Sequence, residues 1–400
     1  MPTPKLQLAR ELKVLWMTFS DRGQQSASIS DHDIAKTFDG DRLRQARQLA
    51  LRTKQSLSEP LGVSAAAVGQ YESGATPPRA DLIPILAREL DVPREFFAAG
   101  RPLARLEAAD AFFRSLRATT AKQRAKAISY TEQLWELMHA VEKHVRLPPV
   151  NLPGFGGGEI EPGAFPSDPV AAARALRKAW RLGTEPIAHL VRTIENQGIV
   201  TVLVPFAENE VARIDAFSTL SLSRPIIVLS PDRANDIYRH RFTAAHELGH
   251  LVLHGELAGG DPALEREADR FAAEFLTPSL VIHDLLPRRI DFRKLNRLSE
   301  QWGVSIKSLI YRCREVGLLS DATARRAYIR LNYLSEQGVI ATQPVYQFPG
   351  EVPALLRRAV ELAEVNGVTI TSLAQELAWK PSQVRRMLGD ADERPALRLI

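Results

Sequence analysis

The chain has 400 residues, 45% hydrophobic and 25% charged, which exceeds a usual single domain and supplies enough apolar material for two or three cores. A net charge of +5 is compatible with nucleic acid without demanding it. The single cysteine, Cys313, excludes an intramolecular disulfide and points to a reducing cytosol. The start lacks the apolar core of a signal peptide, and no later run is long and uncharged enough to cross a bilayer, so the expected location is cytoplasmic.

Residues 1–39 close on the polar stretch DRGQQSASISDHD and read as a flexible arm with one short helix around Leu6 to Trp16. From residue 40 to 100 the pattern tightens. Leu43, Ala46 and Leu49 recur at helical spacing, and Thr53 can cap a second helix carrying Leu57 and Leu61. Gly62 fits a left-handed stop, and Ser64 can cap a third helix with Val68 and Tyr71 facing inward. Helix, short glycine turn, helix is helix-turn-helix logic. The stretch LRTKQSLSEPLGVSAAAVGQYESGATPP resembles the XRE (Cro-type) repressor family.

DNA readout looks thin. The third helix opens on alanines, Gly69 offers no side chain, and Pro60 sits in the last turn of the second helix, an unfavourable place. Lys54, Ser64 and Gln70 are the candidate contacts, with Arg42, Arg44, Arg47 and Arg52 forming a basic front. DNA binding is favoured by a small margin over a dimerisation or repressor-docking role.

Residues 101–146 read as connecting helices, and 147–167, dense in proline and glycine, as a linker. Residues 168–290 read as a mixed α+β domain: a helix from Pro169, then GIVTVLVPF and SRPIIVLS as short strands, then two helices. A helical segment, 291–345, is expected to pack on that domain and repeats the Gly-Val-Ser turn. Residues 346–400 are helical with helix-turn-helix spacing, and Lys380, Arg385 and Arg386 are further candidate DNA contacts, although such helices more often cap a neighbour. Cys313 reads as a core residue.

Residues 241–254, RFTAAHELGHLVLH, carry the chemistry. On a helix, His246 and His250 share one face about 5 to 6 Å apart at Cβ, so both imidazoles can meet one zinc ion. Glu247 can reach a zinc-activated water and take its proton as hydroxide attacks a carbonyl. The motif is short enough to arise by chance, so a third ligand matters. In LEREADRFAAEF, the residues Leu264, Ala268, Phe271, Ala272 and Phe275 make an apolar stripe with Glu267 at its edge. A core-facing carboxylate needs a partner, and a metal is favoured over a salt bridge to Arg270 or Arg241. Glu274 is the runner-up, while Glu265 and Asp269 look solvated. Asp261 and Asp269 are candidate acceptors for a ligand histidine N–H. His254, Tyr238 and Arg241 are weaker candidates for contacting substrate or an oxyanion.

These segments, from about Pro169 to Pro278, closely resemble the ImmA/IrrE family of zinc metallopeptidase-like proteins. The resemblance implies zinc at His246, His250 and Glu267, Glu247 as general base, and helix-turn-helix repressors as substrates cut to release gene expression, a stress-response role. Zinc and manganese are not distinguished. The expected architecture is an all-α helix-turn-helix domain, an α+β zincin-like metallopeptidase domain and a mostly helical C-terminal region. The expected function is a transcription-linked metallo-endopeptidase, with homodimerisation open. The competing readings are a DNA-binding regulator whose zinc domain senses or braces, and one member of a toxin–antitoxin or phage-related pair.

Overall fold

A computed structural model describes residues 29–106, 112–113, 120–153, 155, 165–203, 216–230, 236–255, 261–339 and 343–389. The expected helix around Leu6 to Trp16 lies outside them. In chain order come α1 (Asp31–Lys36), α2 (Gly40–Leu49), α3 (Lys54–Leu61), α4 (Ala65–Glu72) and α5 (Ile83–Glu89), then β1 (Phe112–Phe113) and α6 (Ala121–Glu142). Next are α7 (Pro169–Ala179), α8 (Leu190–Asn196), β2 (Val200–Leu203), β3 (Ala216–Thr219), β4 (Ile226–Leu229), α9 (Ile237–Leu253) and α10 (Pro262–Leu276). The chain continues through α11 (Ser279–Leu285), α12 (Phe292–Trp302), α13 (Ile306–Glu315), α14 (Asp321–Glu336), α15 (Leu355–Val365), α16 (Ile370–Leu377) and α17 (Pro381–Met387). Two units form. One comprises Met1–Arg105, Ala121–His144 and Ala363–Ile400, the other Leu106–Thr120 and Val145–Leu362.

In the first unit the local signals act as their chemistry dictates. Thr53 and Ser56 cap α3 reciprocally, each side chain accepting the other's backbone N–H. Gly62 ends α3 at φ +63°, where a Cβ is strained, and Ser64 Oγ accepts Ala67 N–H at 3.1 Å to start α4. Leu43, Leu57, Val68 and Leu86 are buried between these helices. The polar arm ends differently from expectation: Ser30 caps α1, and Ile34 is fully buried. A single well-placed isoleucine outweighs a polar surrounding.

The basic front is also corrected. Arg42 pairs with Glu136 and Arg44 with Glu132, both acids on the buried face of α6, while Arg47 pairs with Glu72 and Arg52 with Glu89. The guanidiniums of Arg42, Arg44 and Arg47 tie helices together instead of facing outward, while Arg52 stays partly exposed. After α6, α16 and α17 complete the unit: Thr369 caps α16, Ala378 turns the chain in the left-handed region at φ +51°, and Pro381 opens α17. Lys380 is engaged by Asp91, and Gln383 bonds Gln133 at 2.8 Å, so this C-terminal pair caps its neighbours. Arg385 and Arg386 stay exposed.

The second unit holds a small sheet of order β1-β3-β4-β2, with β3 antiparallel to β1 and β4, and β2 parallel to β4. Its strands β2 and β4 are mostly β-branched, and β2 to β4 are buried almost throughout, as expected of runs covered on both faces. α9 packs against β3 and β4 on one side and α10 on another. Close approach of α9 and α10 requires Gly249, where a Cβ would stand 3.0 Å from Phe271 Cδ1 and 3.3 Å from the Ala268 backbone.

Segments that read as connectors are strapped to this unit. Leu152 is fully buried, and Asn151 N–H donates to Gln197 O at 3.0 Å, so the start of the Pro/Gly stretch belongs to the core. Glu351 accepts from the Leu190 and Val191 N–H groups that open α8 and from Arg241. In return Glu195 accepts from Ala354 and Leu355 at the start of α15. Gly303, between α12 and α13, takes φ +62° while its carbonyl accepts from Arg241 Nε at 2.9 Å. Cys313 is buried in this core, its thiol pushed up to about 11 by burial.

Candidate metal centre

Asp236 caps α9, accepting from the N–H groups of Tyr238 and Arg239, and sets the helix running between the sheet and α10. One turn of helix separates His246 from His250, and both rings are buried, as is Glu247. The two Nε2 atoms lie 3.1 Å apart. Glu265, from the first turn of α10, places Oε2 3.4 Å from His246 Nε2 and Oε1 3.5 Å from His250 Nε2. Ligands tetrahedrally arranged at zinc bond lengths of about 2.0–2.1 Å stand roughly 3.3 Å from one another. The three side chains therefore have the spacing that one divalent cation demands, and among the described residues they are the grouping that meets it.

The outer ring nitrogens are also engaged. His246 Nδ1 lies 2.8 Å from Asp269 Oδ1, and His250 Nδ1 lies 2.8 Å from His254 Nδ1. His254 Nε2 lies 3.1 Å from Glu267 Oε2. Glu247 Oε2 accepts a 2.8 Å hydrogen bond from Ser218 Oγ on β3. Without a cation, burial would raise the Glu265 carboxyl, but hydrogen bonds from His246 and His250 and their charges outweigh it and hold the group at about 2. Burial, followed by the neighbouring His250, makes His254 harder to protonate, against the pull of Glu267.

The third acid at the histidine pair is thus Glu265, not Glu267. Both flank the apolar stripe of α10: at about 100° per residue each lies roughly 80° from its centre, on opposite sides. Sequence spacing cannot choose between two such flanks. Packing of α10 on α9 brings Glu265 to the Nε2 pair and Glu267 to His254. Asp269, expected in solvent or as a histidine acceptor, is half exposed and bonds His246. Asp261 instead caps α10 through Ala263 N–H. Glu274 is fully buried and held by Arg174, Arg312 and Ser279. Tyr238 bonds Ser299. Arg241 is committed to Gly303, Ile187 and Glu351, which leaves no guanidinium for an oxyanion. Ser218 carries no signal in the sequence, since only sheet packing puts a residue 29 positions upstream against Glu247.

Of the front-domain candidates, Lys54 and Gln70 are exposed, and Lys54 Nζ also lies 3.4 Å from Glu72. Ser64 is exposed but spends its hydroxyl on capping α4.

A helix-rich domain with a small sheet and a His-His-Glu grouping able to hold a metal lies in a chain that also carries a helix-turn-helix region. Residues 194–314 match the family model described as the IrrE N-terminal-like domain, and residues 43–97 match the helix-turn-helix family model. The two matches fall in the order and over the stretches in which the motifs resemble an XRE-type and an ImmA/IrrE-type domain. No curated protein matches it. No helix of the described residues is long and apolar enough to cross a membrane.

Proposed function

We propose that the second unit is a zinc-dependent endopeptidase acting on a regulatory protein of the helix-turn-helix repressor type. The observation that carries this is the mutual spacing of His246, His250 and Glu265 beside a buried Glu247. In this reading those three residues hold the cation, which supplies Lewis acidity and brings water toward ionisation near neutral pH. Glu247, its rotation fixed by Ser218, takes the proton of the attacking water and passes it to the leaving amine nitrogen as the carbon–nitrogen bond breaks. A structural zinc site would have no use for a carboxylate in that place, which favours hydrolysis over a sensor or brace. Repressor substrates follow from the resemblance and the attached helix-turn-helix domain, and a cytoplasmic setting from the lone cysteine.

The test is metal content and cleavage of a purified helix-turn-helix repressor by the full chain. Glu247→Gln should keep zinc and lose cleavage, while Glu265→Gln should lose both. Zinc retained at full occupancy in Glu265→Gln, or cleavage retained in Glu247→Gln, would overturn the assignment. A second reading, a DNA-binding regulator, draws on the exposed Lys54 and Gln70, but the internal pairing of Arg42, Arg44 and Arg47 weakens it.

A further inference from the structure

His254 follows α9 directly, one turn past His250, and the three-ligand geometry has no need of it. It is nonetheless 3% exposed, with its ring centroid 4.9 Å from that of His250. A nitrogen–nitrogen contact of 2.8 Å, as between the two Nδ1 atoms, requires one proton between them: one ring donates and the other accepts. The Glu267 carboxylate can only accept, so the His254 proton sits on Nε2, facing Oε2 at 3.1 Å. His254 Nδ1 then keeps its lone pair, and His250 must carry its proton on Nδ1. That leaves the His250 Nε2 lone pair facing His246 Nε2 and Glu265. His246 reaches the same state directly, through Asp269.

We propose that His254 and Glu267 are positioning residues: Glu267, acting through His254, fixes the tautomer and ring orientation of His250 so that its Nε2 is the metal-facing nitrogen. The proposal rests on reading His246, His250 and Glu265 as the cation site, because two bare Nε2 atoms 3.1 Å apart beside the Glu265 carboxylate need a cation between them. Glu267 thereby acts on the metal centre at second hand, across two imidazoles.

The experiment uses the full chain with 15N-labelled histidine and reads the imidazole nitrogen shifts with zinc bound. Zinc affinity is then measured by competition with a chromophoric chelator. In the zinc-loaded wild type at neutral pH, His250 should report a protonated Nδ1 and a zinc-bound Nε2, and His254 a protonated Nε2 and a bare Nδ1. Glu267→Ala and His254→Phe should weaken zinc binding roughly ten- to a hundredfold, the usual cost of removing a group that orients a ligand histidine. Glu267→Gln, whose amide oxygen still accepts from His254, should stay within about threefold of wild type. Glu267 is half exposed, so its variants test the idea even if His254→Phe fails to fold. A wild-type His250 protonated on Nε2, or Glu267→Ala binding zinc as tightly as wild type, would overturn the proposal. Zinc-loaded wild type that cleaves nothing would sink the peptidase reading and leave this one standing on its own two readouts. A wild type that takes up no zinc would overturn this proposal together with the cation site.

Discussion

Gly249 sits between the two candidate ligand histidines, at a close contact of α9 with α10. A Cβ there would lie 3.0 Å and 3.2 Å from Phe271 Cδ1 and Cγ and 3.3 Å from the Ala268 Cα, against an optimum of about 3.5–4.0 Å. Overpacking of this kind costs about 1–3 kcal/mol. Alanine recovers about 1 kcal/mol of helix propensity over glycine, so Gly249→Ala should be close to neutral or mildly destabilising. Valine places two further methyl groups on the same crowded carbon with a restricted χ1, so Gly249→Val should cost about 2 kcal/mol or more. For a unit of this size that is a fall of roughly 4–8 °C in melting temperature. To relieve the contact α10 must move away, carrying Glu265 and Asp269 with it. Zinc affinity should therefore fall together with stability, and more in the valine variant than in the alanine one. Thermal unfolding and chelator competition measure both. A valine variant with wild-type melting temperature and wild-type affinity would refute the claim that this glycine sets the interhelical distance and, through it, the ligand geometry.

Other outcomes follow from the same contacts. Burial, with Arg241 adding to it, holds His240 at about 4 despite its bond to the Glu351 carbonyl, whereas an unfolded histidine titrates near 6.5. The unfolded state therefore binds the proton first, and stability present above about pH 6.5 drains away as pH falls toward 4, by about 3 kcal/mol. Denaturant unfolding at pH 7 and pH 4 should show this loss in the wild type and not in His240→Gln. Arg312→Met strips a buried partner from the fully buried Glu274, leaving Arg174 as its one charged partner beside the Ser279 donors. It should destabilise the second unit by about 3 kcal/mol or more, and a melting temperature within a degree of wild type would count against it. For DNA, each phosphate contact adds about 0.9 to the salt slope of binding, so an α3–α4 face short of unpaired arginines should give a slope under about 3. A slope steeper than about 4, unchanged by Lys54→Ala, would show that phosphates are bound elsewhere.

Some of this protein is written in short-range pattern. Thr53, Gly62, Ser64, Asp168, Ser305 and Thr369 mark helix ends because a side-chain oxygen or a missing Cβ satisfies groups only a few residues away. The pairing of His246 with His250 is legible for the same reason: four residues on a helix bring two side chains to one face whatever surrounds it. The third acid is of another kind. Glu265 and Glu267 flank the same stripe symmetrically, and only the approach of α10 to α9, limited by Gly249, decides which one reaches the Nε2 pair. Ser218 comes to Glu247 through strand packing, and Arg42, Arg44 and Arg47 look basic in the sequence yet are neutralised by acids that are mostly far along the chain. A sequence specifies contacts within a turn or two of helix directly, because covalent geometry fixes those distances. It specifies the remainder only through the summed burial of whole faces, which is where the identity of a partner is settled.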